Sequence, residues 1–495
     1  MEEYRSTIVV VCVGIYMGVC IGVGVWALRR TKSTRDFFMA GRDLGIFVTG
    51  LAVFSSTLSG FGFVGGPGLV YSMGMSSIWM VVCSSIGFCL SFYLLGKRIR
   101  LFAEIRDTIS LPDAVAARYK SESARFMTAI AIILGVIGYL ATQIKAMSTV
   151  LFDILANVEG LPVISLGWCT VISCTVLVFY CVTGGIIASV YTDLVQGGIM
   201  IVAATLVFIA AVLAVEGGMG GISSTIMADD PEAMSPWGTL GIIGCMSWYF
   251  LFALGGAGQP HIITKLMMNK KIRDVKHILP VSVVGYTVSA LLWISIGLAM
   301  RALVLQGVHP ELDTPDAAAS QFLQHYAHPL LAGVVFAGLF AAIMSTADGF
   351  LNIGAAAIVH DIPTAIRGRS LKNELFWARV ATVAIAVGAA LFISISKDDL
   401  VALLGAFGWG TFAAALVPTV AIGFNWKRAT ATAVNVAIAS SLLINFGVQF
   451  LDISIPFGIH EGAIALLVSL TLFFGISLAS KPPKLDADIA AIMDL

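Results

Sequence analysis

Residues 55–68 read Ser55-Ser56-Thr57-Leu58-Ser59-Gly60-Phe61-Gly62-Phe63-Val64-Gly65-Gly66-Pro67-Gly68. Five glycines, a proline and four hydroxyls stand within an apolar stretch, 45–71, that is long enough to cross a bilayer. In hydrocarbon every backbone N–H and C=O needs an internal partner, and irregular backbone survives only where protein or a cavity surrounds it. The composition therefore predicts a spanning helix that unwinds partway. A second stretch has the same character: Gly255-Gly256-Ala257-Gly258-Gln259-Pro260 ends the apolar segment 238–258. Interrupted helices at corresponding places in two halves of a chain point to a midplane solute site in a transporter. The competing reading is that the glycines only let helices approach closely.

Composition sets the class. Of 495 residues, 58% are hydrophobic and 12% are charged, against about 25% charged in a soluble domain. Mean hydropathy is +0.94. A soluble enzyme, a nucleic-acid binder and a disordered chain are excluded, and the balance of 29 cations against 29 anions leaves no basic footprint for nucleic acid. The eight cysteines lie in apolar stretches without metal-ligand spacing and read as small core residues.

About thirteen stretches qualify as spans: 7–28, 45–71, 76–96, 124–156, 162–182, 186–216, 238–258, 279–305, 329–360, 375–396, 400–424, 429–450 and 459–480. We number them spans 1 to 13. The reading is an all-α integral membrane protein with a single transmembrane domain over 1–480. Spans 2–6 (about 45–216) and 7–11 (about 238–424) form two five-helix repeats, flanked by peripheral helices 7–28, 429–450 and 459–480. The polar tail 481–495 is expected to be cytoplasmic and mobile.

The loop cations orient the chain. Arg29, Arg30, Lys32, Arg35 and Arg42 follow span 1. Lys97, Arg98, Arg100, Arg106, Arg118, Lys120 and Arg125 follow span 3. Lys265, Lys270, Lys271, Arg273 and Lys276 follow span 7, and Arg367, Arg369, Lys372 and Arg379 follow span 9. With Lys427, Arg428, Lys481 and Lys484, twenty-five of the 29 cations share one face. The opposite loops are acidic or neutral, as at 228–232 and 309–316. The N-terminus is therefore expected outside and the C-terminus in the cytoplasm. The first apolar run is too long for a signal peptide, and the compact loops suggest a bacterial inner membrane.

Span 9 contains Ala341-Ala342-Ile343-Met344-Ser345-Thr346-Ala347-Asp348. Two hydroxyls and a carboxylate in an apolar helix offer oxygen ligands to a hard cation such as Na⁺. Unwound carbonyls of span 2 facing them would complete a cage; the bland alternative is that the hydroxyls bond back to the preceding turn. Asp193, in span 6, and Asp348 are intramembrane acids, which are functional candidates by default.

These residues resemble the sodium:solute symporters over nearly the whole chain. The resemblance rests on 36–42 (Asp-Phe-Phe-Met-Ala-Gly-Arg), Ser59-Gly60 with Gly66-Pro67-Gly68, the run Gly184 to Gln196, Gly258-Gln259-Pro260-His261, and Ala342 to Thr346. It is similar to the proline and pantothenate branches. The resemblance implies a leucine-transporter-type five-plus-five inverted repeat with broken helices 2 and 7, and Na⁺-driven uptake by alternating access. It implies Na⁺ ligands at the carbonyls of Ser55, Leu58 and Ala342 and the hydroxyls of Ser345 and Thr346. It places Asp193 in a second ion or gating network; Asp348, assigned beside it, shares a helix face with Ser345 and would tune the ion site or pair with a cytoplasmic cation.

Substrate is expected beside the span 2 break, near Ser59, Gly60 and Phe61. Tyr139 and Gln143 share a face of span 4, and Trp248, Phe252, Gly256 and Gln259 come from span 7. Aromatic walls with few polar groups suit a small organic solute, a proline-like amino acid or a small carboxylate such as pantothenate or a monocarboxylate. Sugar is disfavoured, because span 3 has no charged or amide side chain between Ser76 and Gly96. Lys145 in span 4 snorkels, pairs with an acid such as Asp153, or attracts an anionic solute. The expected partners are the solute, sodium and the lipid bilayer. A solute sensor on the same fold and a proton-coupled transporter are the alternatives. Asp113, His261, His360 and Asp361 lack the spacing of a catalytic motif, so no enzyme is expected.

Overall fold

The computed structural model describes residues 5–30, 38–39, 44–156, 162, 164–395, 400–451 and 453–495. Lys32, Arg35, Arg42 and most of the 36–42 motif fall outside them. The regular structure among the described residues is helical, apart from an isolated parallel bridge between Leu44 and Asn269. In chain order the helices are α1 (Arg5–Arg30), α2 (Ile46–Gly60), α3 (Gly66–Met73), α4 (Ile78–Ile105), α5 (Leu111–Tyr119), α6 (Glu122–Ala156) and α7 (Leu166–Ala214). Then come α8 (Gly218–Asp229), α9 (Gly241–Tyr249), α10 (Pro260–Met267), α11 (Val275–Leu305), α12 (Ala318–His325) and α13 (Pro329–Ala356). The last are α14 (Ile362–Arg367), α15 (Glu374–Ile395), α16 (Val401–Leu416), α17 (Ala431–Leu451), α18 (Glu461–Ala479) and α19 (Ala487–Met493).

Eleven runs among the described residues are long and apolar enough to cross a membrane. The run Ile46–Ile105 is 60 residues long and covers spans 2 and 3 of the sequence reading. Spans 5 and 6 are joined in α7, a 49-residue helical run whose first part, Leu166–Phe179, is a shorter apolar piece.

The broken second span is the centre of the molecule. α2 and α3 pack against α11, with α7 and α13 against α2. Close approach is achieved by glycine: a Cβ on Gly285 of α11 would lie 2.5 Å from the Phe54 ring, and one on Gly297 would lie 2.5 Å from Val70. Small residues at such contacts are how membrane helices gain packing when lipid removes the hydrophobic drive. α16 is buried along its whole length. Ile15 of α1, Leu391 of α15 and Leu443 of α17 are exposed on the outer surface, where lipid would cover them.

The tail departs from expectation. Instead of being free, it forms α19, which buries Ile489 and Ile492. Arg106 Nη2 holds Asp486 at 2.8 Å and Asp488 at 2.6 Å, and Lys120 reaches Asp486 at 2.5 Å. Lys120 and Arg106 keep the Asp486 carboxyl below the usual carboxylate range, and Arg106 does the same for Asp488. The polar composition concealed two apolar anchors and a set of charges complementary to the basic face.

On the opposite face, Asp316 of the turn Pro315–Ala317 accepts the Val401 N–H at 2.8 Å and so caps the start of α16. Burial pushes its carboxyl up to about 6, against the lowering effects of that hydrogen bond and of Lys145. The folded carboxyl keeps its proton to higher pH than the unfolded one. Its contribution to stability is therefore fully present below the ordinary carboxylate range and is lost as pH rises through about 6. Asp316→Asn should flatten the dependence of the melting midpoint on pH between about 4 and about 6. An unchanged pH profile of thermal unfolding would count against this assignment.

Candidate functional site

The break in span 2 is made by Ser59, which has φ 38° and ψ −163°. The chain then continues through a wide π turn, Phe61–Gly65, into α3. A serine in that region of backbone space costs on the order of 1–3 kcal/mol and persists only when its surroundings over-determine it. Here α6 does so. Gln143 Oε1 accepts the Gly60 N–H at 2.9 Å, and Gln143 Nε2 donates to Ser59 Oγ at 3.3 Å. Ser59 Oγ also accepts the Phe61 N–H at 3.3 Å and lies 3.5 Å from the Tyr139 hydroxyl. The structure thus brings together Ser59, Gly60, Phe61, Tyr139 and Gln143. The glycines around the break are helical: Gly60, Gly65 and Gly66 all have ordinary right-handed angles.

Span 7 is broken at the corresponding place. α9 passes into a π turn, Phe250–Leu254, and a 3₁₀ turn, Gly256–Gly258, and Gln259 is extended before α10. Phe61 stacks on Phe252 with centroids 6.2 Å apart and meets the Trp293 ring edge-on at 5.6 Å. Phe252 in turn touches Trp248 at 6.3 Å and Trp409 at 5.4 Å. Trp293 and Trp409 escaped the sequence reading, because they lie in remote spans with nothing local to mark them. Gly256 has a different environment from the one expected. A Cβ there would lie 2.5 Å from Gly87 Cα, so it forms a crossing with α4. Gln259 Nε2 donates to the carbonyls of Gly255, at 3.0 Å, and Trp409, at 3.3 Å, and so joins span 7 to α16. Its Oε1 is buried with no hydrogen-bond partner among the described residues.

α13 lays its hydroxyls against α2. Thr346 Oγ1 is 3.0 Å from the Ser56 carbonyl and 2.9 Å from the Ala342 carbonyl. The Leu58 carbonyl accepts the Phe61 N–H, and the Ser55 hydroxyl is 3.4 Å from the Ala52 carbonyl. Ser345 turns the other way, donating to Asp193 Oδ1. Asp193 Oδ2 is 3.1 Å from Lys265 Nζ, which also donates to the Ala52 carbonyl and Ser56 Oγ, each at 2.7 Å. Asp348 Oδ1 accepts from Asn352 Nδ2 at 3.2 Å. Asp193 and Asp348 are fully buried.

Lys265 corrects the sequence reading, which put it in the loop after span 7. The apolar window closes at 258, but the broken span continues through α10, so residue 265 is 2% exposed inside the helix bundle. Counting the break as the middle of the span would have exposed an intramembrane charge. Nothing in the sequence marked the Ser56 carbonyl, because a backbone atom has no residue signature.

Of the remaining titratable candidates, Asp113, Asp361 and His360 are held by neighbouring side chains on the basic face, and His261 lies against α2. Arg125 Nη1 reaches Asp113 at 2.6 Å and Asp361 at 3.6 Å, and Ser110 donates to Asp361 at 2.6 Å. His360 Nδ1 is 3.0 Å from Glu374. His261 is 3.2 Å from Thr57 Oγ1. These contacts join α5, α6 and the end of span 9, and pin His261 to α2. No group of three or more His, Cys, Asp or Glu with metal-ligand geometry occurs among the described residues.

Comparison with known proteins agrees with this fold. A sodium/proline symporter of Staphylococcus aureus (strain JH9) is 26% identical, over 98% of this chain and 96% of that protein. The structure of a Na⁺-coupled sialic acid symporter superposes with a TM-score of 0.77 at 21% identity, covering 97% of this chain and 99% of the other. A nucleobase-cation-symport-1 family transporter follows at a TM-score of 0.58 and 16% identity, covering 92% and 98%. Both share the all-α, leucine-transporter-type fold. Residues 37–440 match the sodium:solute symporter family. With that match across most of its length, and with sodium as the coupling ion that the family implies, this chain belongs to the sodium:solute symporter family.

Proposed function

We propose that the protein imports a small organic solute by alternating access, driven by Na⁺ that binds where α13 meets the broken span 2. The observation that carries this is the contact of Thr346 Oγ1 with the Ser56 carbonyl, three residues before the Ser59 break. Hydroxyl and carbonyl oxygens of Ser55, Leu58, Ala342 and Thr346 are the donors available to a hard cation there, while Ser345, expected among them, donates to Asp193 instead. Ion binding orders the break, and the ordered break completes a solute site bounded by Gln143, Tyr139, Phe61, Phe252 and Trp248. Asp193, Ser345 and Asp348 form the second network, on the side of α2 facing α7.

The basic face is cytoplasmic, with the N-terminus outside in the plasma membrane, because loop lysines and arginines are retained on the inner side. Two five-helix repeats, about 45–216 and 238–424, then rock around the breaks. The solute class is a proline-like amino acid or a small carboxylate. Likeness to a sodium/proline symporter supports the former. The aromatic wall with few polar groups fits both.

Thermal unfolding of the purified protein, in NaCl or choline chloride, tests this across a panel of amino acids and small carboxylates. A ligand of the folded state raises the midpoint by mass action. One solute is expected to stabilise in Na⁺ and fail to do so in choline. Equal stabilisation in both salts would reject sodium coupling in favour of proton coupling or a sensing role.

A further inference from the structure

We propose that Lys265 is a tethered cation filling the position beside Asp193, so that one sodium ion, rather than two, binds per chain. This rests on the Na⁺ site proposed above between α2 and α13. An ammonium has three donors, and Lys265 Nζ has three oxygen partners: the Ala52 carbonyl and Ser56 Oγ at 2.7 Å, and Asp193 Oδ2 at 3.1 Å. The other oxygen of Asp193 takes the Ser345 hydroxyl. A carbonyl, a hydroxyl and a carboxylate are also donors a bare monovalent cation would use. All of these side chains are buried, so water does not screen them.

Ser56 links the two positions. Its hydroxyl receives Lys265, and its carbonyl receives Thr346. Two cation positions therefore share one residue of α2. One is held by a group on a covalent tether from α10 and the other faces an exchangeable ion. The tethered ammonium neutralises Asp193, which removes the charge that would otherwise recruit a second sodium, and it opposes entry of another cation nearby. It also ties the first half of span 2 to α10 and α7 before any ion arrives.

An ordinary buried ion pair is the competing account. Removing one partner of such a pair destabilises the protein without creating an ion site. The experiment is sodium binding to the purified full chain, read as ions bound per chain with radioactive sodium and as the Na⁺ dependence of the melting midpoint. The wild type and Lys265→Arg are expected to bind one ion. Lys265→Met is expected to bind two and to show a melting midpoint that climbs more steeply with Na⁺ than that of the wild type, and not with choline. The double change Lys265→Met with Asp193→Asn should return to one. Two ions in the wild type, or one in a folded Lys265→Met, overturns the proposal. A Met variant that folds in NaCl but not in choline chloride supports it, and one that unfolds equally in both salts overturns it. No sodium binding in any variant, wild type included, rejects the Na⁺ site itself and is distinguished from these outcomes by the wild-type arm.

Discussion

Alanine at Ser345 and Thr346 together is expected to raise the Na⁺ concentration for half-maximal uptake by about tenfold or more, where each tenfold corresponds to about 1.4 kcal/mol. The two hydroxyls act differently. Thr346 Oγ1 is the α13 group that touches the α2 backbone, at the Ser56 carbonyl. Ser345 donates to Asp193. Thr346→Ala alone should therefore carry most of the loss at the site between α2 and α13. Ser345→Ala should act through the Asp193 network. Because ion and solute binding are coupled reciprocally, the same variants should weaken solute binding at fixed Na⁺, by a coupling of typically about 1–3 kcal/mol. The measurement is uptake into proteoliposomes across a sodium series, using the solute identified by the stability screen. An unaltered sodium dependence in the double variant would reject the site.

Valine at Gly65 is expected to have the largest effect on folding. A Cβ on Gly65 would lie 2.5 Å from the Ala402 backbone nitrogen and 2.9 Å from its Cα. The obstacle is main chain at the start of α16, a helix buried along its whole length, and Asp316 caps that same turn through Val401. No side-chain rotation can relieve the contact. Overpacking a tight core costs about 1–3 kcal/mol even when neighbours can shift, and here the neighbour is fixed. Gly349 of α13 is the control: it is buried and helical, yet nothing among the described residues lies within 4 Å of the Cβ it would carry. Gly349→Ala should be neutral or gain up to about 1 kcal/mol from helix propensity. Melting midpoints and the monodisperse yield check both. A Gly65→Val protein that melts with the wild type would show that the crossing is looser than the structure has it.

Gly65 and its neighbours in span 2 mark where the sequence was legible and where it was not. The run 55–68 did announce a break, and the break is there. The residue responsible is Ser59, whose backbone is held by Gln143 from α6, while Gly60, Gly65 and Gly66 remain helical. Gly65 and Gly66 serve packing, against Ala402 and the Trp293 ring respectively. The glycines therefore allow a neighbouring helix close enough to hold the break. The packing alternative and the unwinding alternative were both correct, at different residues.

Spanning length, hydrophobic content and the sidedness of lysine and arginine are properties of the chain read in one dimension. For that reason the sequence by itself determined the membrane class, the approximate spans and the positions of both breaks. The Ala342–Thr346 motif likewise pointed to the α13 half of the proposed cation site. What lies opposite that motif is decided by packing. The Ser56 carbonyl, Trp293, Trp409 and Lys265 come from segments far apart in the chain, and only tertiary structure fixes which oxygens and rings face one another. Lys265 shows the reason most plainly. Hydropathy scored residue by residue counts a lysine as a loop, whereas the free energy of burying it depends on three oxygens contributed by α2 and α7.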